Sequence, residues 1–365
     1  MIRSLLPMAL FVLTASCGRS DAPTEGSLPG APKGGTPAQA GEVALTGAGA
    51  TFPYPLYTKW IAEFQRSRPK VKINYQSIGS GGGIRQVTEG TVDFGASDAP
   101  MSDEQIAKAA GILHLPTCLG AVVLTYNLEG VPTGLKLTPE AIAGIFLGKI
   151  KRWNDPAIQG ENPDAKLPDK EIASVHRSDG SGTTKIFVDY LTAVSPEWKS
   201  GPGAGTSVSW PGGLGAKGNE GIAALISSTP SAVGNVELAY AMQNKLTFAA
   251  IKNHAGKFVL PSLESTTAAG AGAAARMPDD LRISIVNAEG DGAYPIAGFT
   301  YILAYQQQKE GHKGKVLADF MRWSLHEGQQ FTKDLHYAPL PAAVVEKVDR
   351  KLASLTGPDG KALLQ

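Results

Sequence analysis

The chain has 365 residues, of which 42% are hydrophobic and 18% are charged. This length suffices for two domains with their own cores, and this composition excludes a disordered chain or a bundle of membrane-spanning helices. The 34 basic residues almost balance the 33 acidic ones, so the chain lacks the basic field of a nucleic-acid-binding protein and we expect no nucleic-acid partner.

The N-terminus has the pattern of an export signal followed by a tether. Arg3 precedes an apolar run, residues 5–14, that is too short to span a bilayer as a mature helix. Residues 1–16 resemble a bacterial lipoprotein signal peptide, with Cys17 as the lipidated first residue of the mature chain. An ordinary secretory signal with an incidental cysteine is the alternative. Residues 17–40, rich in Gly, Pro and Ala, predict a flexible tether.

From Gly41 onward, strand-like runs alternate with helix-like runs, which predicts an α/β fold. Residues 71–75 alternate between apolar and polar, and residues 92–96 form a second short strand pattern. Residues 119–126 and 296–305 are continuous apolar runs, which is typical of strands buried on both faces.

Helices are predicted where apolar residues recur at helical spacing, over residues 56–64, 186–191, 315–325 and 342–355. The low-complexity stretch 266–275 has no such spacing, and we expect a mobile surface loop there.

Three glycine- and hydroxyl-rich turns, residues 46–52, 78–83 and 177–184, each follow a strand pattern and precede a helix pattern. The first N–H groups of a helix have no intrahelical partner and lie at the positive end of its dipole. Ligands of open α/β sheets bind at the carboxyl ends of the strands. We therefore expect the three turns to converge on one small anion.

These turns contain the donors that a tetrahedral oxyanion needs. Arg177 offers a planar fork that suits two oxygens of such an anion, and Asp179 is placed to orient that fork. The hydroxyl and main-chain donors are those of Thr51, Phe52, Ser80, Ser181, Gly182 and Thr183. Ordinary helix capping by Asp179 and Ser181 is the alternative interpretation.

Asp98 follows the second strand pattern and would repel an anion that carries no proton. It can accept a hydrogen bond from an O–H group of protonated phosphate, whereas fully ionised sulfate has no O–H group to donate. Asp98 is not needed as a helix cap, because Ser102 and Gln105 form a better capping box. The sequence therefore predicts a site for a protonated oxyanion.

We expect no metal and no cofactor. The six histidines are scattered without metal-ligand spacing. The second cysteine, Cys118, lies in an apolar segment, and we expect a buried, unreactive side chain without a disulfide partner.

Seven segments together resemble the substrate-binding protein of the high-affinity bacterial ABC phosphate transporter. The resemblance implies a two-lobed periplasmic-binding-protein fold, a type II clamshell with its ligand cleft between the lobes. It implies a non-enzymatic protein that carries phosphate to the transmembrane permease subunits from the periplasm or cell envelope, and we expect a monomer. The lipid anchor on the membrane is expected from the N-terminal pattern instead, and it departs from the freely diffusing members of the family. The segments are residues 45–57, 75–86, 92–102, 147–155, 176–184, 215–225 and 335–341.

The resemblance also implies which residues bind and how the lobes divide. Lobe 1 would comprise residues 41–126 and 296–365, and lobe 2 residues 127–295, with crossovers at the two buried apolar runs. Asp179 matches the acid that pairs with the binding arginine. The implied phosphate ligands are Thr51, Phe52, Ser80, Asp98, Arg177, Ser181, Gly182 and Thr183.

Three other functions are alternatives to this one. A phosphate-ester hydrolase is disfavoured because residues 79–85 are not a Walker loop, Ser181 is not in a G-x-S-x-G elbow, and no two-metal motif occurs. A clamshell for sulfate or molybdate is disfavoured by Asp98. A surface phosphate sensor or adhesin without a transport partner stays open.

Overall fold

The structure, a computed structural model, describes residues 41–364. The predicted signal peptide, the lipidation site Cys17 and the tether lie outside the described residues. Within residues 41–364, no helix is both long and apolar enough to cross a membrane.

Strands and helices alternate along the described chain, as predicted. The strands are β1 (Val43–Gly49), β2 (Val71–Ser77), β3 (Phe94–Ser97), β4 (Ile112–Tyr126), β5 (Lys136–Leu137), β6 (Ala173–Arg177), β7 (Leu214–Ala216), β8 (Ala232–Glu237), β9 (Thr247–Phe248), β10 (Ala250–Lys252), β11 (Phe258–Val259) and β12 (Ala297–Tyr305). The α-helices are α1 (Tyr54–Arg66), α2 (Ser80–Glu89), α3 (Asp103–Lys108), α4 (Pro139–Phe146), α5 (Pro156–Gln159), α6 (Gly182–Val194), α7 (Pro196–Ser200), α8 (Gly218–Ser228), α9 (Leu238–Gln243), α10 (Leu263–Gly270), α11 (Ala273–Arg276), α12 (Gly311–Leu325) and α13 (Ala342–Ala353).

The larger sheet has nine strands, in the order β2-β1-β3-β12-β4-β8-β6-β7, with β9 also paired to β4. A small three-stranded sheet has the order β11-β10-β5. The long inner strand β4 connects the two halves of the larger sheet. Its residues up to Ala121 pair with β12, and those from Val122 onward pair with β8.

The strand directions place two sets of strand ends opposite each other. β1, β2 and β3 are parallel to one another, and β4 continues in the direction of β3 because both are antiparallel to β12. β8 runs antiparallel to β4, and β6 and β7 are parallel to β8. The carboxyl ends of β1–β3 therefore face those of β6–β8. The predicted division into lobes at residues 126 and 296 remains a prediction.

The predicted helical stripes are the buried faces of their helices. In α1, Leu56, Trp60 and Phe64 are buried, and Pro55 lies in the first turn, where proline removes no intrahelical hydrogen bond. α6 buries Phe187 and Tyr190 in the same way. These stripes fix the helices against the sheet and so hold the helix N-termini at the facing strand ends.

The expectation of a mobile loop at residues 266–275 was wrong, because α10 and α11 occupy most of this stretch. Ser262 caps α10 through a capping box with Ser265, and alanine favours helix. Close packing requires a small residue at Gly270, since a Cβ there would lie 2.5 Å from Leu119 Cδ2. Low complexity here therefore indicates helix rather than a mobile loop.

Cys118 is fully buried in β4, as predicted, and has no disulfide partner among residues 41–364. Burial raises the pKa of its thiol well above the usual value, which keeps it protonated and unreactive.

Candidate anion-binding site

The three predicted turns meet between the two sets of facing strand ends. The Gly81 N–H donates to the Gly180 carbonyl oxygen at 2.9 Å, and the Gly182 N–H donates to Ser80 Oγ at 3.0 Å. Arg177 Nη1 lies 3.4 Å from Thr51 Oγ1. These contacts bring the N-termini of α1, α2 and α6 together around one buried spot.

Gly79 allows the second and third turns to approach this closely. Its φ of +87° is in the region that favours glycine. A Cβ at this position would also lie 2.4 Å from Asp179 Oδ2. Both the backbone conformation and the contact therefore require a residue without a side chain.

The hydroxyls at the site accept hydrogen bonds from N–H groups. Thr51 Oγ1 accepts from the side chain and main chain of Asn219, and Ser80 Oγ accepts from the main chain of Gly182 and of Asp98. Ser181 Oγ accepts from the Thr184 N–H at 3.0 Å, which caps α6. A hydroxyl oxygen has two lone pairs and one proton. When N–H groups occupy both lone pairs, the hydroxyl can act only as a hydrogen-bond donor towards a further group.

Arg177 is held by Asp179 through two parallel hydrogen bonds, from Nε to Oδ1 at 2.7 Å and from Nη2 to Oδ2 at 2.6 Å. The arginine side chain is 1% exposed and the aspartate side chain 15%. Burial raises the pKa of Asp179, but the hydrogen bonds and charge of Arg177 outweigh it and lower that pKa overall. The pair is thus ionised and close to neutral in sum.

Asp98 is buried at the end of β3 and accepts a hydrogen bond from Thr300 Oγ1 to Oδ1 at 2.8 Å. Its other oxygen, Oδ2, lies 3.5 Å from Ser80 Oγ. Burial raises the pKa of Asp98 to about 7, and the bond from Thr300 and the charge of Arg177 offset only part of this effect. Asp98 therefore exchanges a proton near neutral pH.

Asn219 and Thr300 contact the predicted site residues but were not found from the sequence. Asn219 is the second residue of α8, which follows β7, so it has the same strand–turn–helix setting as the three turns. Gly218, the first residue of α8, has a φ of +72°. That setting was a usable signal. Thr300 lies inside β12, and only the pairing of β12 with β3 brings it to Asp98.

Glu237 supports the site indirectly, through Tyr337, and was also not found from the sequence. Its Oε2 accepts from the Ala239 N–H at 2.8 Å and lies 3.1 Å from Tyr337 Oη, which donates to the Phe52 carbonyl oxygen at 2.6 Å. Burial raises the pKa of Glu237 well above its usual value, which favours the protonated carboxyl. Tyr240 similarly donates to the Thr51 carbonyl oxygen at 2.7 Å.

This arrangement is chemically suited to hold an oxyanion. Thr51, Ser181 and Thr183 contact amide N–H groups rather than a general base, so none is activated as a nucleophile. Within the described part of the chain, no group of three or more potential metal ligands occurs. Many donors surround one carboxyl acceptor, Asp98, in a buried space.

A family model described as a PBP superfamily domain matches residues 30–327 of the chain. A curated relative from Xylella fastidiosa (strain Temecula1), named phosphate-binding protein PstS, is 47% identical over 317 residues, covering 87% of this chain and 86% of the relative. A second, of the same name, from Pasteurella multocida (strain Pm70), is 46% identical over 323 residues, covering 88% and 93%.

Among solved structures, a high-affinity periplasmic phosphate-binding protein, PfluDING, bound with phosphate, superposes with a TM-score of 0.69 at 21% identity. The match covers 84% of this chain and 93% of that one. This likeness confirms the two-lobed α/β architecture predicted from the sequence.

Proposed function

Because this chain belongs to the family of PstS phosphate-binding proteins, we propose that it binds inorganic phosphate and delivers it to the permease of an ABC transporter. The family predicted from the sequence motifs is thereby confirmed, and the chain is a binding protein rather than an enzyme. The proposed ligands are the eight residues named from the resemblance, with Asp179 orienting Arg177.

The observation that carries the phosphate assignment is the position of one carboxyl among many donors. Asp98 Oδ1 accepts a hydrogen bond from Thr300, whereas Oδ2 has only the 3.5 Å contact with Ser80 Oγ, so Oδ2 can accept a hydrogen bond from an O–H group of the ligand. Phosphate near neutral pH has a proton to donate, whereas sulfate would place two acceptors against each other in a site that water does not reach. The geometry therefore favours phosphate over an oxyanion of the same shape that carries no proton, such as sulfate.

The finer assignments are part of the proposal. The protein acts in the periplasm or cell envelope as a monomer, and lipid-modified Cys17 with the tether behind it holds it at the membrane. Phosphate enters between two lobes, residues 41–126 with 296–365 and residues 127–295. The facing strand ends and the hydrogen bonds between the turns support this division.

Calorimetric titration of the purified chain with phosphate and with sulfate tests the proposal. We expect a phosphate dissociation constant that is micromolar or lower, which corresponds to roughly 8 kcal/mol or more. At about pH 8, where Asp98 is mostly ionised because its pKa is about 7, we expect sulfate to bind at least ~100-fold more weakly, as for a lost hydrogen bond to a charged group. Equal affinity for the two anions would overturn the phosphate assignment.

A further inference from the structure

Asn219 joins two hydroxyls that come from opposite ends of the large sheet. Its Nδ2 lies 2.7 Å from Thr51 Oγ1 and 3.1 Å from Thr183 Oγ1. Its main-chain N–H also donates to Thr51 Oγ1, at 3.2 Å. Asn219 is fully buried, with 0% of its surface exposed.

The direction of the Asn219 amide is fixed by a bond on its other side. The Glu237 N–H donates to Asn219 Oδ1 at 2.9 Å. Because an N–H needs an oxygen opposite it, the amide oxygen faces Glu237 and the NH2 group faces the two threonines. Asn219 can therefore only donate to Thr51 and Thr183.

The consequence for the threonines is that their protons point away from Asn219. With N–H donors on its lone pairs, the Thr51 hydroxyl can contribute only as a donor, and the Asn219 contact biases Thr183 in the same way. An anion needs donors in this orientation, and a hydroxyl that is already oriented loses little freedom when the anion binds.

We propose that Asn219 is a positioning residue that fixes the Thr51 and Thr183 hydroxyls as donors to the anion and so raises phosphate affinity without touching the ligand. This inference rests on the proposed function, since it concerns how the same site recognises phosphate. Asn219 lies in the first turn of α8 and orients hydroxyls in the turns at the start of α1 and α6.

Asn219→Asp is the sharpest test, because it keeps the shape and the oxygen that accepts from the Glu237 N–H. The introduced carboxylate lacks the NH2 donor and instead accepts from the threonine hydroxyls, which turns their protons away from the anion. We expect the phosphate dissociation constant to rise by about 100-fold or more at neutral pH, as for two lost hydrogen bonds to a charged group. Titration calorimetry on the full chain measures this change.

The pH profile separates this role from a merely structural one. When the carboxyl introduced by Asn219→Asp is protonated, it regains an O–H donor. Burial at this fully buried position raises the pKa of that carboxyl above the ordinary value of ~4, so the deficit of the variant relative to wild type should shrink as the pH falls from about 8 to about 5. A deficit that does not change with pH would overturn the donor argument.

Asn253 provides the matched control. It is 5% exposed, its Oδ1 accepts from the Lys257 N–H, and its Nδ2 donates to three main-chain oxygens away from the site. Asn253→Asp loses the same donor group, so it should lower the melting temperature while phosphate affinity stays within about twofold of wild type. A similar loss of affinity in both variants would contradict the proposal.

A second variant keeps the test decisive if Asn219→Asp does not fold. Asn219→Ala should weaken phosphate binding about 10-fold, because the threonine hydroxyls can then turn freely. In a chain that already carries Thr51→Val and Thr183→Val, Asn219→Ala should hardly change phosphate affinity, because there are no hydroxyls left for Asn219 to orient. An equal effect in both backgrounds overturns the Asn219 inference, whereas failure of the wild-type chain to bind phosphate overturns the proposed function instead.

Discussion

The Arg177 guanidinium and the Asp179 carboxylate form a two-point ion pair, with bonds of 2.7 and 2.6 Å, beside the proposed phosphate site. The aspartate neutralises the arginine and fixes its plane at the same time. A buried arginine held in this way presents its remaining N–H groups in a defined direction.

Asp179→Asn should therefore destabilise the protein in the absence of phosphate. The almost fully buried guanidinium would lose its countercharge, which costs about 3–5 kcal/mol of unfolding free energy. Phosphate would supply the missing negative charge, so we expect a larger rise in melting temperature with saturating phosphate for the variant than for wild type. Differential scanning calorimetry with and without phosphate measures both effects.

Asp189→Asn is the control for this prediction, because Asp189 pairs with Lys185 nearby in α6 but both side chains are more exposed, at 20% and 30%. It should cost less stability and leave the phosphate-induced shift unchanged. Equal behaviour of the two variants would contradict the assigned role of Asp179.

Asp98→Asn should reduce the preference for phosphate over sulfate. The asparagine has an N–H group where the aspartate has an acceptor, so it favours an anion without a proton. We expect the ratio of the two dissociation constants to fall by about 10- to 100-fold, as for one hydrogen bond to a charged group. Asp93→Asn, at the opposite end of β3 from Asp98, should leave the ratio unchanged, and calorimetry distinguishes the two.

The raised pKa of Asp98, about 7, gives the phosphate-free protein a specific pH dependence. Below the ordinary aspartate pKa of ~4, both the folded and unfolded states are protonated and no stability is lost. As the pH rises from about 4 towards 7, Asp98 ionises in the unfolded state but stays protonated in the folded state. The free energy of unfolding therefore falls, by up to about 4 kcal/mol at 1.36 kcal/mol per pKa unit.

Asp98→Asn cannot titrate, so its stability relative to wild type should increase from about pH 4 to about pH 7 and then level off. Urea unfolding at a series of pH values, without phosphate, measures the difference. A difference that is constant over this range would mean that Asp98 keeps an ordinary pKa.

Glu237→Gln should destabilise the protein less than Glu237→Ala. Burial raises the pKa of Glu237 well above its usual value, which favours the uncharged carboxyl, and glutamine retains an oxygen for the Ala239 N–H. Glu237 Oε1 has no hydrogen-bond partner among the described residues, so the Nε2 group that replaces it is unpaired, and we expect the free energy of unfolding to fall by about 1 kcal/mol. Glu237→Ala leaves that N–H unpaired next to a cavity and should cost roughly 3 kcal/mol. Equal losses in urea unfolding would show that the charge of Glu237 is required.

Gly83→Ala should destabilise the turn that carries Ser80. A Cβ at Gly83 would lie 2.6 Å from Ala96 O and 2.7 Å from Ala48 O, which are main-chain atoms of the sheet that cannot move aside cheaply. We expect a loss of about 2–3 kcal/mol and weaker phosphate binding.

Gly82 is the neighbouring control in α2, because its nearest atom beyond the helix is Ile78 Cδ1, the end of a side chain on a residue that is 37% exposed. Alanine there gains helix propensity of about 1 kcal/mol, which offsets the contact. Thermal unfolding of the two variants gives the comparison, and equal losses would argue against the crowding at Gly83.

The three turns could be predicted because their signals are local. Glycine, hydroxyl residues and the following apolar stripe lie within a few residues of each other, so the chain itself shows where a strand gives way to a helix. Asp98 could be singled out for the same reason, since Ser102 was the better cap and does cap α3. Local patterns are set by short-range physical chemistry that a sequence displays directly.

Asn219 also had a local signal, because it follows β7 in the first turn of α8, but Thr300 and Glu237 depend on which strands pair. Thr300 reaches Asp98 only because β12 lies between β3 and β4, and Glu237 reaches Tyr337 from a residue 100 positions away. The register of distant strands is decided by the whole fold and leaves no local mark. The mistaken loop at residues 266–275 has a different cause, since alanine-rich composition was interpreted without the packing that explains it.

Strand β4 also limits how specificity can be exchanged between proteins of this architecture. Its residues before Val122 pair with β12 and those from Val122 onward pair with β8. A chimera that took one side of the sheet from another binding protein would have to splice inside this single buried strand and match its register on both sides. New ligand preferences are therefore reached more readily by point substitutions in the turns than by recombining halves.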